Sequence, residues 1–473
     1  MAKASSEPPS KPAFLTELEP AAATPLPGLW QVTWPLFISL GLSLSLTFTD
    51  AFFLSRISDA AAAGAGAINP LLGATVVLFS VVSQAGASVA GRLHGAQRHD
   101  ELPLTYFALL AFNLTVGLAI SALLFLLSPY VPGWLGLQGD TRAYAATYMA
   151  VLGGCQVLKA VQLAYGNMLN ARGETRWVLV EAVATNVANI GLNLALLGGA
   201  FGLHASVGRV AAATMLAMVF GMLFTIAVVH VRFGVRFPWG SPWSQLRGAL
   251  WPILKIGLPS ATESVAYNVA QVTINVLVVS LGAQALATRT YVLSFVTIST
   301  VLWSIALGVG GQISIAHRVG AGRLEEANDA FHRALLYAVA GNGCIALALA
   351  LFHRPLLGLL TRDPEIFRIA APLFAIGVFV EVGRAVNIVA GGALRTAGDA
   401  GYAAVVAPSF MWGVGVPAAF LLGGVLGLGM TGVWLALALD EMARGVLCYR
   451  RWRSGRWRTT SQLAPAARVE LAS

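Results

Sequence analysis

The chain repeats itself once, at a fixed offset. The loop motif G-A-x-R-x-x-E begins at Gly95 and again at Gly320. The turn motif L-x-x-x-G, followed by an acidic residue, begins at Leu169 and again at Leu394, so both motifs return at the same offset. Because two separate motifs keep one spacing, the sequence predicts two structurally equivalent halves, each of about 200 residues.

The composition places both halves in a lipid environment. Of the 473 residues, 57% are hydrophobic and 11% are charged, whereas soluble domains carry about 25% charged residues. The long, mostly apolar runs Leu29–Leu54, Leu102–Ser128 and Ala205–Val231 each exceed the roughly 20 residues that a helix needs to cross a bilayer. The runs are too long and too uniformly apolar for barrel strands. We therefore expect an all-α membrane protein.

Twelve apolar runs separated by polar breaks predict twelve transmembrane helices. They cover residues 29–54, 66–91, 102–128, 143–168, 177–199, 205–231, 250–281, 285–315, 330–353, 367–394, 402–425 and 430–449. The expected domains are a cytosolic tail (1–28), an N-terminal six-helix lobe (29–232), a linker (233–248), a C-terminal six-helix lobe (249–458) and a second tail (459–473). An even number of spans in each half makes the lobes parallel, related by a pseudo-two-fold axis along the membrane normal.

The distribution of arginine predicts the orientation of the chain. Alternate loops are rich in arginine and the intervening loops are poor in it, so the positive-inside rule places both termini in the cytosol. The expected location is the plasma (inner) membrane. The net charge of +9 follows this loop pattern and gives no reason to expect nucleic acid. The basic run at Arg450–Arg453 is expected to lie at the membrane interface, either as a plain anchor or on anionic lipid with its tryptophan among the headgroups.

Polar groups inside the predicted spans are the candidate functional residues, because an unpaired polar group at membrane depth is costly. Two repeat-related triplets, each spaced i, i+3, i+6 on one helix face, form a predicted intramembrane network: Gln156, Lys159 and Gln162 in the fourth span, and Glu381, Arg384 and Asn387 in the tenth. Glu381 and Arg384 are expected to pair with each other, and Lys159 to reach a carboxylate on another helix. Whether this network gates the protein or contacts substrate stays open. Asp440, Glu441 and Arg444 are expected to form a separate cluster at the cytosolic end of the twelfth span.

Asp50, late in the first span, is a candidate for binding a proton or a small cation; the alternative is a hydrated acid near the outer end of its helix. Its counterpart in the second half is Asn275, so the acid occurs only in the N-terminal lobe. A carboxylic acid in a low-dielectric site can bind and release a proton near neutral pH. Asn186, Asn189 and Asn193 share one face of the fifth span and could supply oxygen ligands to Na⁺ or a hydrated proton. Hydrogen bonding between helices explains the same asparagines equally well.

A second polar stripe lies in the seventh span. It consists of Glu263, Tyr267, Gln271 and Asn275, which follow one another at every fourth position. The stripe is expected to face a wet cleft, where Glu263 either handles substrate or protons or serves as a structural hydrogen-bond centre. Enzymatic motifs are missing: no P-loop, histidine–glutamate zinc pair or paired-aspartate metal motif occurs. We therefore expect no enzyme activity, no metal site and no cofactor apart from a transported H⁺ or Na⁺.

Together these motifs resemble the multidrug and toxic compound extrusion family. The resemblance runs from about Trp30 to Trp457 and rests on D-x-x-x-x-S-R at Asp50, L-N-A-R-G-E-T-R at Leu169 and I-G-L-P at Ile256, besides the repeated loop motif. It implies a secondary antiporter, monomeric in the bilayer, that exports amphipathic or cationic drug-like molecules in exchange for H⁺ or Na⁺. In that family an acid at the place of Asp50 is linked to cation coupling. A flippase for lipid-linked precursors and, less favoured, an intramembrane enzyme are the alternatives.

Overall fold

The computed structural model describes residues 26–197 and 206–460, and within these ranges the chain is helical without strands. Twelve long helices run back and forth in two groups of six. In chain order they are α1 (Leu29–Ser55), α2 (Asp59–Gly95), α3 (Leu102–Leu127), α4 (residues 139–171), α5 (Thr175–Leu197), α6 (Val207–Arg232), α7 (Trp243–Ser280), α8 (Ala283–Gly320), α9 (Leu324–Leu351), α10 (Pro364–Thr396), α11 (Ala400–Val425) and α12 (Gly429–Arg453). Short helices follow α3, α9 and α12 at Val131–Trp134, His353–Gly358 and Trp457–Thr460.

These helices confirm the twelve predicted spans. The largest shifts are at α2 and α7, which begin at residues 59 and 243 where 66 and 250 were expected. Within the described residues, nine of the helices are long and apolar enough to cross a membrane. The helix α7 begins inside the segment that we predicted as a linker, so the irregular part of that segment is shorter than expected. Most of the two predicted tails lies outside the described residues.

Local signals explain where several helices begin. Ser58 precedes α2, and its side-chain oxygen accepts a hydrogen bond of 3.1 Å from the backbone N–H of Ala61, which caps the helix. Asp363 caps α10 in the same way through the N–H of Glu365, at 2.9 Å. Proline at residue 364 then occupies the first turn, where its missing N–H costs nothing. Both caps lie on the same side of the bundle, opposite the repeated loop motifs.

The repeat is visible in the backbone. Gly173 and Gly398, which are separated by the repeat offset, both adopt positive φ angles, of 76° and 96°, in the turns after α4 and α10. Gln97 has a positive φ of 58°, and its counterpart is Gly322 with a φ of 72°. A positive φ is strained for residues other than glycine, so the conformation at Gln97 follows from the shape of the repeated loop. The two halves therefore share one scaffold down to single turns.

The lobes meet on one side of the bundle and separate on the other. We call the side where α2 ends the Gly95 face and the side where α1 ends the Ser55 face. Toward the Ser55 face, the buried apolar clusters stay within one lobe: one spans residues 54–211 and the other residues 270–436. Toward the Gly95 face, a cluster combines Val32 and Leu36 with Ile313, and a larger one combines α2 with α7. The two lobes thus form a V that is closed at the Gly95 face.

The structure corrects the sequence interpretation of α12. The helix continues to Arg453, so Asp440 and Arg444 lie in its middle and not at the cytosolic end of the span. The tryptophan of the following basic run is also buried: Trp452 is 1% exposed and stacks on Phe331 and Trp457 at 4.5 and 4.2 Å between ring centroids. This tryptophan therefore packs inside the protein and does not lie among lipid headgroups.

Candidate ion-coupling site and polar networks

Asp50 lies at a junction of three helices in the N-terminal lobe. The residue is 4% exposed, and its Oδ1 accepts hydrogen bonds from Thr214 Oγ1 at 2.8 Å and from Asn189 Nδ2 at 3.2 Å. These donors belong to α6 and α5, so the acid on α1 ties three helices together. In the described ranges, no lysine or arginine nitrogen lies within 4.0 Å of Asp50. A buried carboxyl that has neutral donors and no counter-charge is suited to binding a proton or a small cation.

The asparagines of α5 divide into three environments. Asn189 bonds directly to Asp50, whereas Asn186 accepts a hydrogen bond of 3.0 Å from Ser45 on α1 and therefore joins α5 to α1 elsewhere. Asn193 donates to the backbone oxygen of Asn189 at 3.0 Å. The side-chain oxygens of Asn189 and Asn193 are buried and have no hydrogen-bond donor among the described residues. These two oxygens, on successive turns of α5, provide free acceptor capacity, and that of Asn189 belongs to a side chain bonded to Asp50.

The polar triplet of α4 is connected to α5 through an amide. Lys159 Nζ donates to Gln162 Oε1 at 3.1 Å, and Gln162 donates in turn to the carboxylate of Glu181. Glu181 is 8% exposed and also accepts a hydrogen bond of 2.7 Å from Thr185. The expected contact between Lys159 and a carboxylate is thus made through Gln162 and not directly. Glu181 is therefore buried at the centre of this network. Gln156, the first member of the triplet, is also buried and lies in the middle of α4.

The triplet of α10 belongs to a larger network in the C-terminal lobe. Glu381 and Arg384 form the expected ion pair, at 2.8 Å, and Glu381 also accepts a hydrogen bond of 2.8 Å from Thr300 on α8. Asn387 donates to Glu441 on α12 at 3.0 Å, and Arg384 lies 3.6 Å from the same carboxylate. The network therefore joins three helices and does not end with the pair on α10.

The cluster of α12 is part of this same network. Arg444 pairs with Asp440 at 2.6 Å and with Glu441 at 3.2 Å, and Glu441 links it to Arg384. The side chains of all three α12 residues are between 4% and 6% exposed. The sequence predicted two separate clusters here, and in the structure they form one network in the middle of the lobe.

The polar stripe of α7 does not form one site. Glu263 pairs with Arg395 on α10 at 3.0 Å, and Gln271 accepts a hydrogen bond of 2.9 Å from Arg289 on α8. Tyr267 is 37% exposed, and Asn275 is also exposed. The stripe thus contacts α10 and α8 at separate places along the helix.

Three residues at these sites were missed at the level of sequence. Thr214, Thr300 and Asn342 each donate to a buried acid or its backbone, with Asn342 bonding the carbonyl oxygen of Glu381 at 2.9 Å. Thr214 is the only polar side chain between Arg209 and Thr225 in α6, and this isolation was a signal that could have identified it. Thr300 lies in a span with several hydroxyls, where the sequence gives no such signal, whereas Asn342 is the only amide in the span predicted at residues 330–353 and could have been identified in the same way.

Comparison with known proteins decides the family. The MatE family model matches residues 35–195 and 259–421, which together make up more than half of the chain. The second matched segment follows the first at nearly the same offset as the repeated motifs, in agreement with the internal repeat. The chain belongs to the MatE family. MatE proteins are multidrug and toxic compound extrusion transporters, so this chain is a multi-pass membrane transporter and not an enzyme.

Two bacterial relatives match nearly the full length of this MatE protein. A Bacillus subtilis protein described as the uncharacterized transporter YisQ is 30% identical over 430 residues, which cover 91% of this chain and 94% of the relative. A Thermotoga maritima protein described as the probable multidrug resistance protein NorM is 24% identical over 438 residues, covering 91% and 92%. Since both alignments extend across both lobes, the relatives share the whole two-lobed plan.

Solved structures confirm the fold of the family in this chain. A transporter of the MOP superfamily from Pyrococcus furiosus superposes with a TM-score of 0.80 at 19% identity, covering 92% of this chain and 96% of that one. A MATE transporter described in an outward-facing conformation superposes with a TM-score of 0.79 at 18% identity, covering 91% and 96%. The twelve-helix arrangement in two lobes is therefore the MATE fold, as predicted.

A small polar cavity lies between the lobes of this MatE protein, toward the closed side of the V. Its volume is about 90 Å³, and it is lined by α2, α7, α8 and α10. Gln84 and Ser88 face it from one lobe, and Glu263, Gln312 and Arg395 from the other. Pockets for drug-sized ligands measure about 300–1,000 Å³, so this cavity has room for water molecules but is too small for a whole substrate. Glu263 thus lies at the boundary between the lobes, although its ion pair with Arg395 stays within the C-terminal lobe.

Proposed function

We propose that this transporter is a cation-coupled antiporter that exports amphipathic or cationic organic molecules by alternating access. Uptake of H⁺ or Na⁺ at Asp50 drives a rocking of the two lobes about the Gly95 face. The observation that carries the proposal is the state of Asp50, which is buried, has neutral donors and has no cationic partner among the described residues. The exchanged cation supplies the missing positive charge.

The location of Asp50 explains how binding can move the lobe. The carboxyl holds α5 and α6 through Asn189 and Thr214, and both hydrogen bonds go to the same Oδ1 atom. A proton or cation on the carboxyl weakens these bonds, because a carboxylate is a stronger acceptor than a neutral or neutralised acid. Binding therefore changes the packing of α1 against two neighbouring helices. This is the differential interaction that a population shift between two conformations requires.

Several further features support the substrate class and the orientation. Apolar side chains surround the inner polar groups, which favours selection of substrates by size and hydrophobicity. Relatives described as multidrug resistance proteins support a small drug-like molecule as substrate. The arginine-rich loops lie on the Gly95 face, so the positive-inside rule supports a cytosolic Gly95 face and cytosolic termini. We propose a monomer in the plasma membrane, with the V open to the outside in this conformation.

The alternative of a lipid-linked flippase receives less support. A pyrophosphate group needs several free cationic side chains that face one cavity. Arg384 and Arg444 are each within 4.0 Å of two carboxylates. Lys159 lies beside Gln162, which bonds to Glu181. These basic residues are therefore committed to internal networks.

Proteoliposomes containing the purified full-length protein test the proposal. Ethidium is used as the fluorescent organic cation, and gradients of pH and of Na⁺ are imposed separately. We expect at least one gradient to drive ethidium movement in the wild type, and Asp50→Asn to abolish the driven component while ethidium binding persists. Asp100→Asn is the matched control, because Asp100 is an exposed loop carboxyl.

The possible results distinguish coupling through Asp50 from antiport activity itself. If Asp50→Asn transports ethidium as well as the wild type under each gradient, coupling through Asp50 is wrong. If neither gradient moves ethidium in the wild type while ethidium binding is normal, the protein is not an antiporter of this kind.

A further inference from the structure

The buried network of the C-terminal lobe contains an odd number of charges. Three carboxyls contribute, from Glu381, Asp440 and Glu441, and two guanidiniums, from Arg384 and Arg444. Their side chains are between 3% and 14% exposed, in the middle of α10 and α12. With every group ionised, the network would carry one uncompensated negative charge in a low-dielectric environment. Such a charge costs several kcal/mol, so the network must hold one additional positive charge.

The pairing within the network identifies where that charge resides. Glu381 is held by Arg384 and Thr300, and Glu441 by Arg384, Arg444 and Asn387. Asp440, in contrast, contacts only Arg444, and it does so through Oδ2. Its other oxygen, Oδ1, is buried and has no donor among the described residues. Asp440 is itself 3% exposed, so solvent does not satisfy this atom.

The space around Asp440 favours a proton over a metal cation. A β-carbon placed at Gly415 on α11 would lie 3.4 Å from Oδ1 and 3.1 Å from Cγ, so the backbone of α11 closes over the carboxyl. Hard metal cations need six or more oxygen ligands at about 2–2.6 Å, and no such shell fits into this contact. A proton needs only the lone pair of Oδ1. We propose that Asp440 carries an exchangeable proton and is a second proton site of this transporter, in the lobe opposite to Asp50.

The other charged groups near Asp440 do not supply the missing charge. On its own helix, Glu441 and Arg444 are already counted, and α10 contributes Glu381 and Arg384. The helix α11, which packs over Asp440, contains no acidic or basic residue between Ala400 and Val425. Farther along α10, Arg395 is paired with Glu263 of α7, which adds no net charge. Arg289 on α8 is bonded to Gln271 and forms no ion pair with the network in the part of the chain that the structure describes.

The exchange step is a simple proton transfer. When the lobe opens enough to admit water, the O–H bond on Asp440 Oδ1 breaks, and the proton passes to a water molecule. The electron pair stays on the carboxylate, which Arg444 already holds through Oδ2 at 2.6 Å. The network then carries one negative charge while it is hydrated, and reclosure requires that a proton returns. This cycle rests on the proposed function, because it couples protonation to movement of the lobe.

Infrared difference spectroscopy of the purified full-length protein tests the proton itself. A pH step on the wild type is expected to reveal the C=O stretch of a protonated carboxylic acid that is missing from Asp440→Asn and present in Asp100→Asn. A second variant, Glu381→Gln, keeps Asp440 but leaves only two acids facing two arginines. The charges then balance without a proton, so Asp440 should be ionised and the same band should again be lost at neutral pH. The proposal is overturned if Asp440→Asn retains the full wild-type band, or if Glu381→Gln does.

Transport measurements then test whether the proton is exchanged. In proteoliposomes with a pH gradient, the number of protons moved per ethidium is expected to fall by one in Asp440→Asn relative to the wild type and Asp100→Asn. An unchanged number means that the proton of Asp440 is static, which overturns its role in coupling. If the wild type moves ethidium with Na⁺ and without protons, proton exchange at Asp440 is wrong while the proposed function stands. If neither gradient moves ethidium, the proposed function fails, whereas the infrared band still decides the protonation of Asp440 independently.

Discussion

Gly95 and Gly320, which are equivalent positions of the repeat, each lie against a backbone carbonyl of the opposite lobe. A β-carbon at Gly95 would be 1.9 Å from the carbonyl oxygen of His317, and one at Gly320 would be 2.0 Å from that of Arg92. Arg92 and His317 are separated by the same repeat offset, so the two contacts are equivalent. The pseudo-two-fold axis therefore passes between the ends of α2 and α8, and glycine at both positions allows the helices to touch there.

Alanine at Gly95 or Gly320 should separate the lobes at the Gly95 face. Because the added methyl group meets backbone atoms, which cannot rotate away, the contact is relieved only by moving α2 from α8. Spin labels at Arg98 and Arg323, the repeat-related loop arginines, report this movement in a cysteine-free background. We expect a longer inter-label distance in Gly95→Ala and Gly320→Ala than in the parent protein. Gly66→Ala is the matched control in α2, since a β-carbon at Gly66 meets no atom within 4 Å. An unchanged distance in both variants would show that the contact does not close this face.

Removal of the Thr214 hydroxyl should impair coupling at Asp50. Thr214→Val keeps the shape of the side chain but eliminates the 2.8 Å hydrogen bond to the carboxyl. A hydrogen bond to a charged group contributes about 1.5–3 kcal/mol, and each increment of about 1.4 kcal/mol corresponds to a factor of ten. We expect gradient-driven ethidium transport to fall about tenfold in proteoliposomes. Thr225→Val on the same helix is the control, because that hydroxyl bonds only to backbone carbonyls of its own helix. Equal rates in the two variants would contradict a role for Thr214.

The scaffold could be predicted from the sequence because both of its signals are local. Most of the spans are apolar runs longer than the bilayer needs, and the repeated motifs mark equivalent turns such as those at Gly173 and Gly398. The position of Asp50 in α1 and its neighbour Asn189 in α5 could be proposed from spacing. Thr214 could not be assigned with them, because contact between α6 and α1 depends on how the helices rotate when they pack.

The polar networks show a different limit of the sequence. The repeat suggests that the triplets of α4 and α10 have equivalent partners, but the acid that completes each network comes from non-equivalent helices. Glu181 on α5 serves the first lobe and Glu441 on α12 the second. Their repeat counterparts, Val406 and Leu216, are apolar. Symmetry of the scaffold therefore does not extend to the charges, and only the packed structure shows which acid meets which base.

A methyl group at Gly221 should destabilise the network of the N-terminal lobe. A β-carbon there would lie 2.2 Å from Thr185 Oγ1 and 2.5 Å from Glu181 Oε1, so the carboxylate must leave its hydrogen-bonded position. Overpacking of this kind costs about 1–3 kcal/mol. We expect a lower thermal melting temperature for Gly221→Ala in detergent. Gly191→Ala on α5, where a β-carbon meets nothing within 4 Å, should melt like the wild type. Coincident melting of both variants would indicate that the network tolerates displacement of Glu181.

Neutralising each of the two acids of α12 should change the stability of the protein to a different extent. Glu441 connects Arg384 with Arg444 and accepts a hydrogen bond from Asn387, so Glu441→Gln removes the centre of the buried network. Both guanidiniums lose a contact, so we expect a clear drop in melting temperature and in yield of folded protein. The drop should be smaller than the about 3–5 kcal/mol of an uncompensated buried charge, because Asp440 can then ionise beside Arg444. Asp440→Asn leaves Arg444 paired with Glu441 and removes the carboxyl that we propose to be protonated, so its melting temperature should stay close to that of the wild type. Glu365→Gln, which breaks the exposed pair with Arg368 on α10, is the control without a measurable effect. Equal destabilisation by Glu441→Gln and Asp440→Asn would mean that both acids are ionised, in conflict with the charge count of the network.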